Sequence, residues 1–253
     1  MYYVFDGSYA GFLCVVFESF ERKAFDTIPI TASVFQSDFF REHREVLTDA
    51  MKAKRVQQGL ARRLGEERAR DFFRVFLSED PQAWLSAYKI MLQLFRGDTG
   101  ILGNYGDTDV LYFAQTLKKV DRERHRWKAF TRFSKSNDGL YFAVIEPDYN
   151  VLPLVTGFFR KRYADQAWLI YDVSRHYGIA YDTRSVSEVQ MTKEEEIALP
   201  QVSITILLDE RDAFFQRLWQ QYFKSTNIEA RKNLKLHLQH VPKRYWKYLP
   251  EKQ

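Results

Sequence analysis

The spacing of apolar positions changes several times along the chain. Tyr2 to Phe5 is a short β-prone run, followed by Asp6-Gly7-Ser8 and then by helical spacing from Tyr9 to Phe20. Asp6 or Ser8 is placed to accept hydrogen bonds from the first free amides of that helix. A strand leading directly into a helix predicts an α/β-type opening. Ile28 to Phe35, apolar and β-branched around Pro29, predicts a second strand near a sheet edge. From about residue 37 to 130 the pattern is helical. Arg44 to Arg63 reads as one helix, and Glu66 to Leu77 as another with Phe72, Phe73 and Phe76 on one face. Ser78-Glu79-Asp80-Pro81 marks a break and a new start, because Pro is tolerated in a first turn and acids favour that end. Gln82 to Arg96 follows, then a Gly-rich connector, then a helix opened by Asp107 with Val110, Phe113, Leu117 and Val120 in its apolar stripe.

After Phe130 the sequence becomes strand-like. Thr131 to Lys135 and Leu140 to Ile145 flank Asn137-Asp138-Gly139, a hairpin signal. Val151 to Tyr163 predicts a helix with Pro153 in its first turn. Trp168 to Tyr171 and Tyr177 to Tyr181 predict an antiparallel pair, and Ser185 to Met191 a third strand. Thr192 to Pro200 is acidic and reads as a loop or short helix, and Asp209 to Phe223 reads as an amphipathic helix. The expected class is α+β: a mixed or antiparallel sheet with an inserted helical block at about 37–130 and a C-terminal helical basic tail at 224–253. One domain is expected over residues 1–253.

Charge sharpens this picture. The net charge is +5, yet Lys118 to Lys135 holds eight Lys/Arg against two acids, and Lys224 to Gln253 again holds eight against two. The rest of the chain must therefore be net negative, and such segregation suggests an address for a polyanion. Rings are threaded through both stretches: Trp127, Phe130 and Phe133 in the first, Tyr245, Trp246 and Tyr248 in the second. The functional reading is nucleic-acid binding, with Arg124, Arg126, Lys128, Arg132, Lys243, Arg244 and Lys247 on phosphates and Trp127, Tyr245 or Trp246 stacking on bases. Arg160, Lys161 and Arg162 join the set if the fold brings them alongside. The competing reading is a solvated helix face whose rings lie in the core.

Catalytic candidates are few. His125, between Arg124 and Arg126, is a candidate general acid/base or phosphate contact, although flanking cations favour a neutral, structural ring. Glu146 and Asp148 stand directly after a predicted strand and could face one site across Pro147, or simply cap a turn. His237 and His240 share a helix face without a third ligand nearby, so no metal site is expected. Asp6 to Gly11 lacks the Gly-Lys-Ser/Thr of a phosphate-cradling loop. No cofactor is expected. The single cysteine, Cys14, excludes an internal disulfide framework. With no basic leader and no run of roughly 18 apolar residues, the expectation is a soluble, cytoplasmic protein without membrane contact.

Four segments in fixed order resemble a known family. They are Tyr3 to Leu13, Glu123 to Phe133, Glu146 through Pro153 to Tyr163, and Val241 to Glu251, of which Lys243-Arg244-Tyr245-Trp246-Lys247 is the most specific. Together they are similar to a bacterial family described as DNA metabolism or DNA repair proteins, whose members accompany a radical SAM protein assigned to DNA modification. A similar domain is fused behind some uracil-DNA glycosylases. The resemblance implies a stand-alone form of the domain, DNA and a radical SAM protein as partners, and no particular reaction. Three readings follow: a DNA-binding partner of that enzyme, an enzyme acting on a damaged base through Glu146, Asp148 or His125, and a protein-interaction module that does not bind DNA.

Overall fold

The computed structural model describes residues 1–35, 42–135, 140–190 and 242–249. The chain divides into two compact units, Met1–Arg122 and Glu123–Gln253. The class is α+β, as the sequence predicts.

Unit 1 opens with β1 (Tyr2–Phe5), α1 (Tyr9–Glu21), β2 (Ile28–Thr31) and β3 (His43–Glu45). Both β2 and β3 pair in parallel with β1, in the order β2-β1-β3. Ser8 caps α1 by accepting from the Gly11 amide at 2.9 Å. Gly11 has to be glycine: a Cβ there would lie 2.3 Å from Asp6 Oδ1 and 2.8 Å from Thr48 Oγ1. The helical block follows as α2 (Ala50–Leu64), α3 (Glu66–Phe76), α4 (Pro81–Phe95) and α5 (Thr108–Phe130), the last of which ends in unit 2. Asp49, Asp80 and Asp107 each accept from amides in the first turn of the helix they precede. The core of this unit gathers Tyr3, Phe5, Phe12, Leu60, Phe72, Tyr88 and Ile90, with Trp84 stacked on Phe76 at 5.1 Å.

Two expectations here are corrected, the first being the strand expected over Ile28 to Phe35, which ends at Thr31 where residues 32–34 turn. Arg44 to Arg63 is not a single helix: residues 43–45 pair with β1 and the helix starts at Ala50. Asp49 stops it from starting earlier, since its side chain takes the Met51 and Lys52 amides while its own backbone stays extended.

Unit 2 contains β4 (Ser134–Lys135), β5 (Tyr141–Ile145), α6 (Leu152–Arg162), β6 (Trp168–Asp172), β7 (Tyr177–Tyr181) and β8 (Val186–Val189). The sheet is mixed, in the order β4-β5-β6-β7-β8. Its one parallel pair, β5 with β6, is joined by α6, and every other pair is antiparallel. The strand expected from Thr131 shortens to Ser134–Lys135, because α5 runs through Phe130 and Thr131 still donates its hydroxyl to the Trp127 carbonyl. Phe133 instead packs edge-on against Phe159 and Tyr163. The basic tail is described only at residues 242–249, where Lys243–Tyr248 forms a 3₁₀ helix. The Asn137-Asp138-Gly139 turn, the acidic stretch at 192–200, the helix expected at 209–223, and His237 and His240 lie outside the described residues. Among the described residues no helix is long and apolar enough to cross a membrane.

Candidate anion-binding cleft

A cleft lies beyond the carboxyl ends of the parallel pair β5 and β6. In unit 2, β5 delivers Glu146, Pro147 and Asp148 to that place, and β6 delivers Ser174 and Arg175. The terminal 3₁₀ helix adds Lys243, Arg244 and Lys247. Together they line a cleft of about 560 Å³ with four cations and two carboxylates.

The terminal segment is held there by Glu123 on α5. This carboxylate is 2% exposed. Its Oε1 accepts from Trp127 Nε1 at 2.9 Å and from the Asp148 amide at 3.2 Å. Its Oε2 accepts from the Tyr245 hydroxyl at 2.6 Å and from Arg244 Nη2 at 2.5 Å. A buried carboxylate is tolerable only when paired and hydrogen-bonded in this way. Tyr245 is fully buried, edge-on to Trp127 at 5.2 Å and against Phe130 at 5.0 Å. Burial, reinforced by Glu123, pushes its hydroxyl up to about 12.

Within the cleft, cations and carboxylates meet pairwise. Arg244 also contacts Asp148, and Lys247 contacts Glu146. The Tyr248 hydroxyl donates to Glu146 at 2.8 Å. The Lys247 ammonium, aided by that hydroxyl, holds the Glu146 carboxyl below its ordinary value against a partial desolvation. Arg175 donates to the Pro147 and Asp148 carbonyls at 3.0 and 3.3 Å and to Asp172 at 3.1 Å, which fixes the turn carrying the two acids. Asp172 is fully buried, and burial pushes its carboxyl up despite Arg175. Lys243 is exposed and pairs with no carboxylate among the described residues.

The expected site residues are thus partly gathered and partly dispersed. Glu146, Asp148, Lys243, Arg244 and Lys247 converge. The first basic stretch meets the described part of the second, residues 242–249, through an acid and rings. Trp127 and Tyr245 are corrected as stacking platforms: at 1% and 0% exposure their faces are closed to a base. Trp246 is half-buried. Arg126 lies over the Tyr245 ring at 5.8 Å and Lys128 over Phe158 at 5.4 Å, while Arg132 donates to the Ala129 carbonyl at 2.7 Å. Arg124 is half-buried on α5, and His125 is exposed there and does not line the cleft. Arg160, Lys161 and Arg162 are exposed in the last turn of α6. Because α6 leaves the carboxyl end of β5 and returns to the amino end of β6, they stand at the opposite end of the sheet from the cleft, where they complement the helix dipole. Arg175, Ser174 and Asp172 carry no functional signature in the sequence, where they read only as the turn between β6 and β7. The one signal they offer is an Asp closing an apolar strand three residues before an Arg.

The profile of the DUF4130 family, a domain of unknown function, matches residues 81–251. The chain belongs to the DUF4130 family. The DUF4130 match begins at α4 and takes in the whole cleft, whereas the parallel sheet and the first three helices precede it. No curated protein and no solved structure matches the chain.

Proposed function

We propose that this DUF4130 protein binds nucleic acid through its phosphates at the cleft and serves DNA metabolism or repair beside a radical SAM protein that performs the chemistry. The observation carrying this reading is the convergence of Lys243, Arg244, Lys247 and Arg175, from two segments far apart in sequence, on one cleft where Lys243 is exposed and has no carboxylate partner among the described residues. Lys243 and the exposed Lys247 make the first phosphate contacts, and a phosphate displaces Glu146 from Lys247. Ion pairs at an exposed rim hold weakly enough for such an exchange, and phosphates attract cations strongly at low salt. Resemblance to proteins of DNA metabolism supports the choice of nucleic acid over other polyanions, and it alone supplies the radical SAM partner.

The test is fluorescence anisotropy with single- and double-stranded oligonucleotides over rising salt, comparing the natural chain with Lys243→Glu/Lys247→Glu. Loss of binding in the variant is the expected result, and equal affinity overturns the reading. Arg244 is left in place because it also satisfies a buried carboxylate. Co-purification with the radical SAM protein by a chain lacking DNA affinity would favour an interaction module instead.

A second reading rests on a specific observation: Glu146 and Asp148, two residues apart, line the same cleft. Accepting a proton, from a water that attacks a damaged nucleoside as its base departs, is the chemistry two ionised carboxylates offer. His125 has no part in it. Release of a base from a lesion-bearing oligonucleotide that is abolished in Asp148→Asn would establish it, and an inert natural chain over a panel of lesions would dismiss it.

A further inference from the structure

Unit 1 carries a second, separate concentration of charge. Helix α2 contains Lys52, Lys54, Arg55, Arg62 and Arg63 and no acid. Lys52 is matched by Glu18 and Glu21 at 2.8 and 3.2 Å. Lys54, Arg55, Arg62 and Arg63 are exposed, and among the described residues none of them pairs with a carboxylate. A helix bearing four cations without a carboxylate partner among the described residues carries a strong local field that attracts acidic groups.

Three of those arginines stand over a groove of about 480 Å³ between α1, α2 and the end of α4, floored by Phe17, Phe20, Val56 and Phe95. Gly59 shapes it: a Cβ there would come within 2.6 Å of Phe95 Cε1, so the bare backbone lets that ring lie against α2. Arg63 sits over the Phe95 ring at 4.7 Å, and Arg55 and Lys52 over Phe17 at 5.8 and 5.0 Å. The acid on the rim, Glu21, is already engaged by Lys52.

We propose that this groove docks an acidic amphipathic helix of a partner protein. Its apolar side chains would fill the phenylalanine floor, and carboxylates along its flanks would meet Arg55, Arg62 and Arg63. An apolar slot between two helices is the shape that takes a helix by its apolar face, and a rim of arginines with no carboxylate partner among the described residues selects an acidic one. Nucleic acid fits less well, because the two rings nearest the arginines already carry a cation over a face and offer bases little stacking. The groove residues precede the matched family region except for Phe95, so the inference stands apart from the nucleic-acid reading.

The experiment uses the full chain and a fluorescein-labelled peptide about 18 residues long, sufficient to form a helix, with Leu and Phe at i, i+3, i+4 and i+7 and Glu elsewhere. Anisotropy is expected to show saturable binding that weakens about tenfold or more in Arg55→Glu/Arg62→Glu and is unchanged in Lys243→Glu/Lys247→Glu. Both arginines are exposed, so an unaltered circular dichroism spectrum establishes that the variant folds. No binding of the peptide, equal binding by the Arg55→Glu/Arg62→Glu chain, or equal binding of a peptide with Lys in place of Glu each overturns the proposal. A duplex oligonucleotide that displaces the peptide, and itself loses affinity in Arg55→Glu/Arg62→Glu, would reassign the groove to nucleic acid.

Discussion

Glu123 is the residue on which the described end of unit 2 turns. Removing it leaves the Arg244 guanidinium, the Tyr245 hydroxyl and the Trp127 indole without their shared acceptor. Glu123→Ala is expected to cost about 2–4 kcal/mol, short of the full penalty for a stranded buried charge because Arg244 retains some water. Urea unfolding measures this, with a red shift of tryptophan emission as Trp127 becomes wet. Tyr245 makes an alkaline prediction. Its folded value of about 12 lies above the ordinary 10.0, so its contribution is fully present below pH 10 and is lost as pH rises through about 12. Stability followed between those limits should fall in the natural chain and less steeply in Tyr245→Phe. Glu146 and Asp148 are legible in the sequence because they stand directly after a strand. Trp127 and Tyr245 are not, because a ring flanked by cations looks the same in sequence whether it faces water or a buried carboxylate.

At the scale of elements, what is legible is what is local. The starts of α1, α4 and α5 are visible in Ser8, Asp80-Pro81 and Asp107, since a cap and its amides lie within a turn of each other. The strand β3 is not visible: three polar residues acquire strand geometry only by pairing with β1, some forty positions earlier. The placement of Arg160 to Arg162 away from the cleft likewise follows from α6 crossing between parallel strands, which no local pattern displays. Asp49, which separates β3 from α2, should be costly to lose. Asp49→Ala is expected to lower stability by about 1 kcal/mol, and Gly11→Ala by about 1–3 kcal/mol through its collision with Asp6 and Thr48. Guanidinium denaturation of the two variants checks both.

At the scale of the molecule, charge is divided more finely than averages over the chain disclose. Setting two basic stretches against a negative remainder hides α2, whose five cations are offset in sequence by acids that lie elsewhere. Only a count over successive elements exposes it. If the cleft holds phosphates, the slope of log affinity against log salt should become shallower by about one for each phosphate deprived of its cation in Lys243→Glu and Lys247→Glu, and titrations at four or five ionic strengths would show it. Three of the four cleft cations, together with the ring that covers Trp127, come from the eight residues 242–249. A premature stop codon just upstream of them would uncork the interior of this unit and discharge its cleft in one stroke.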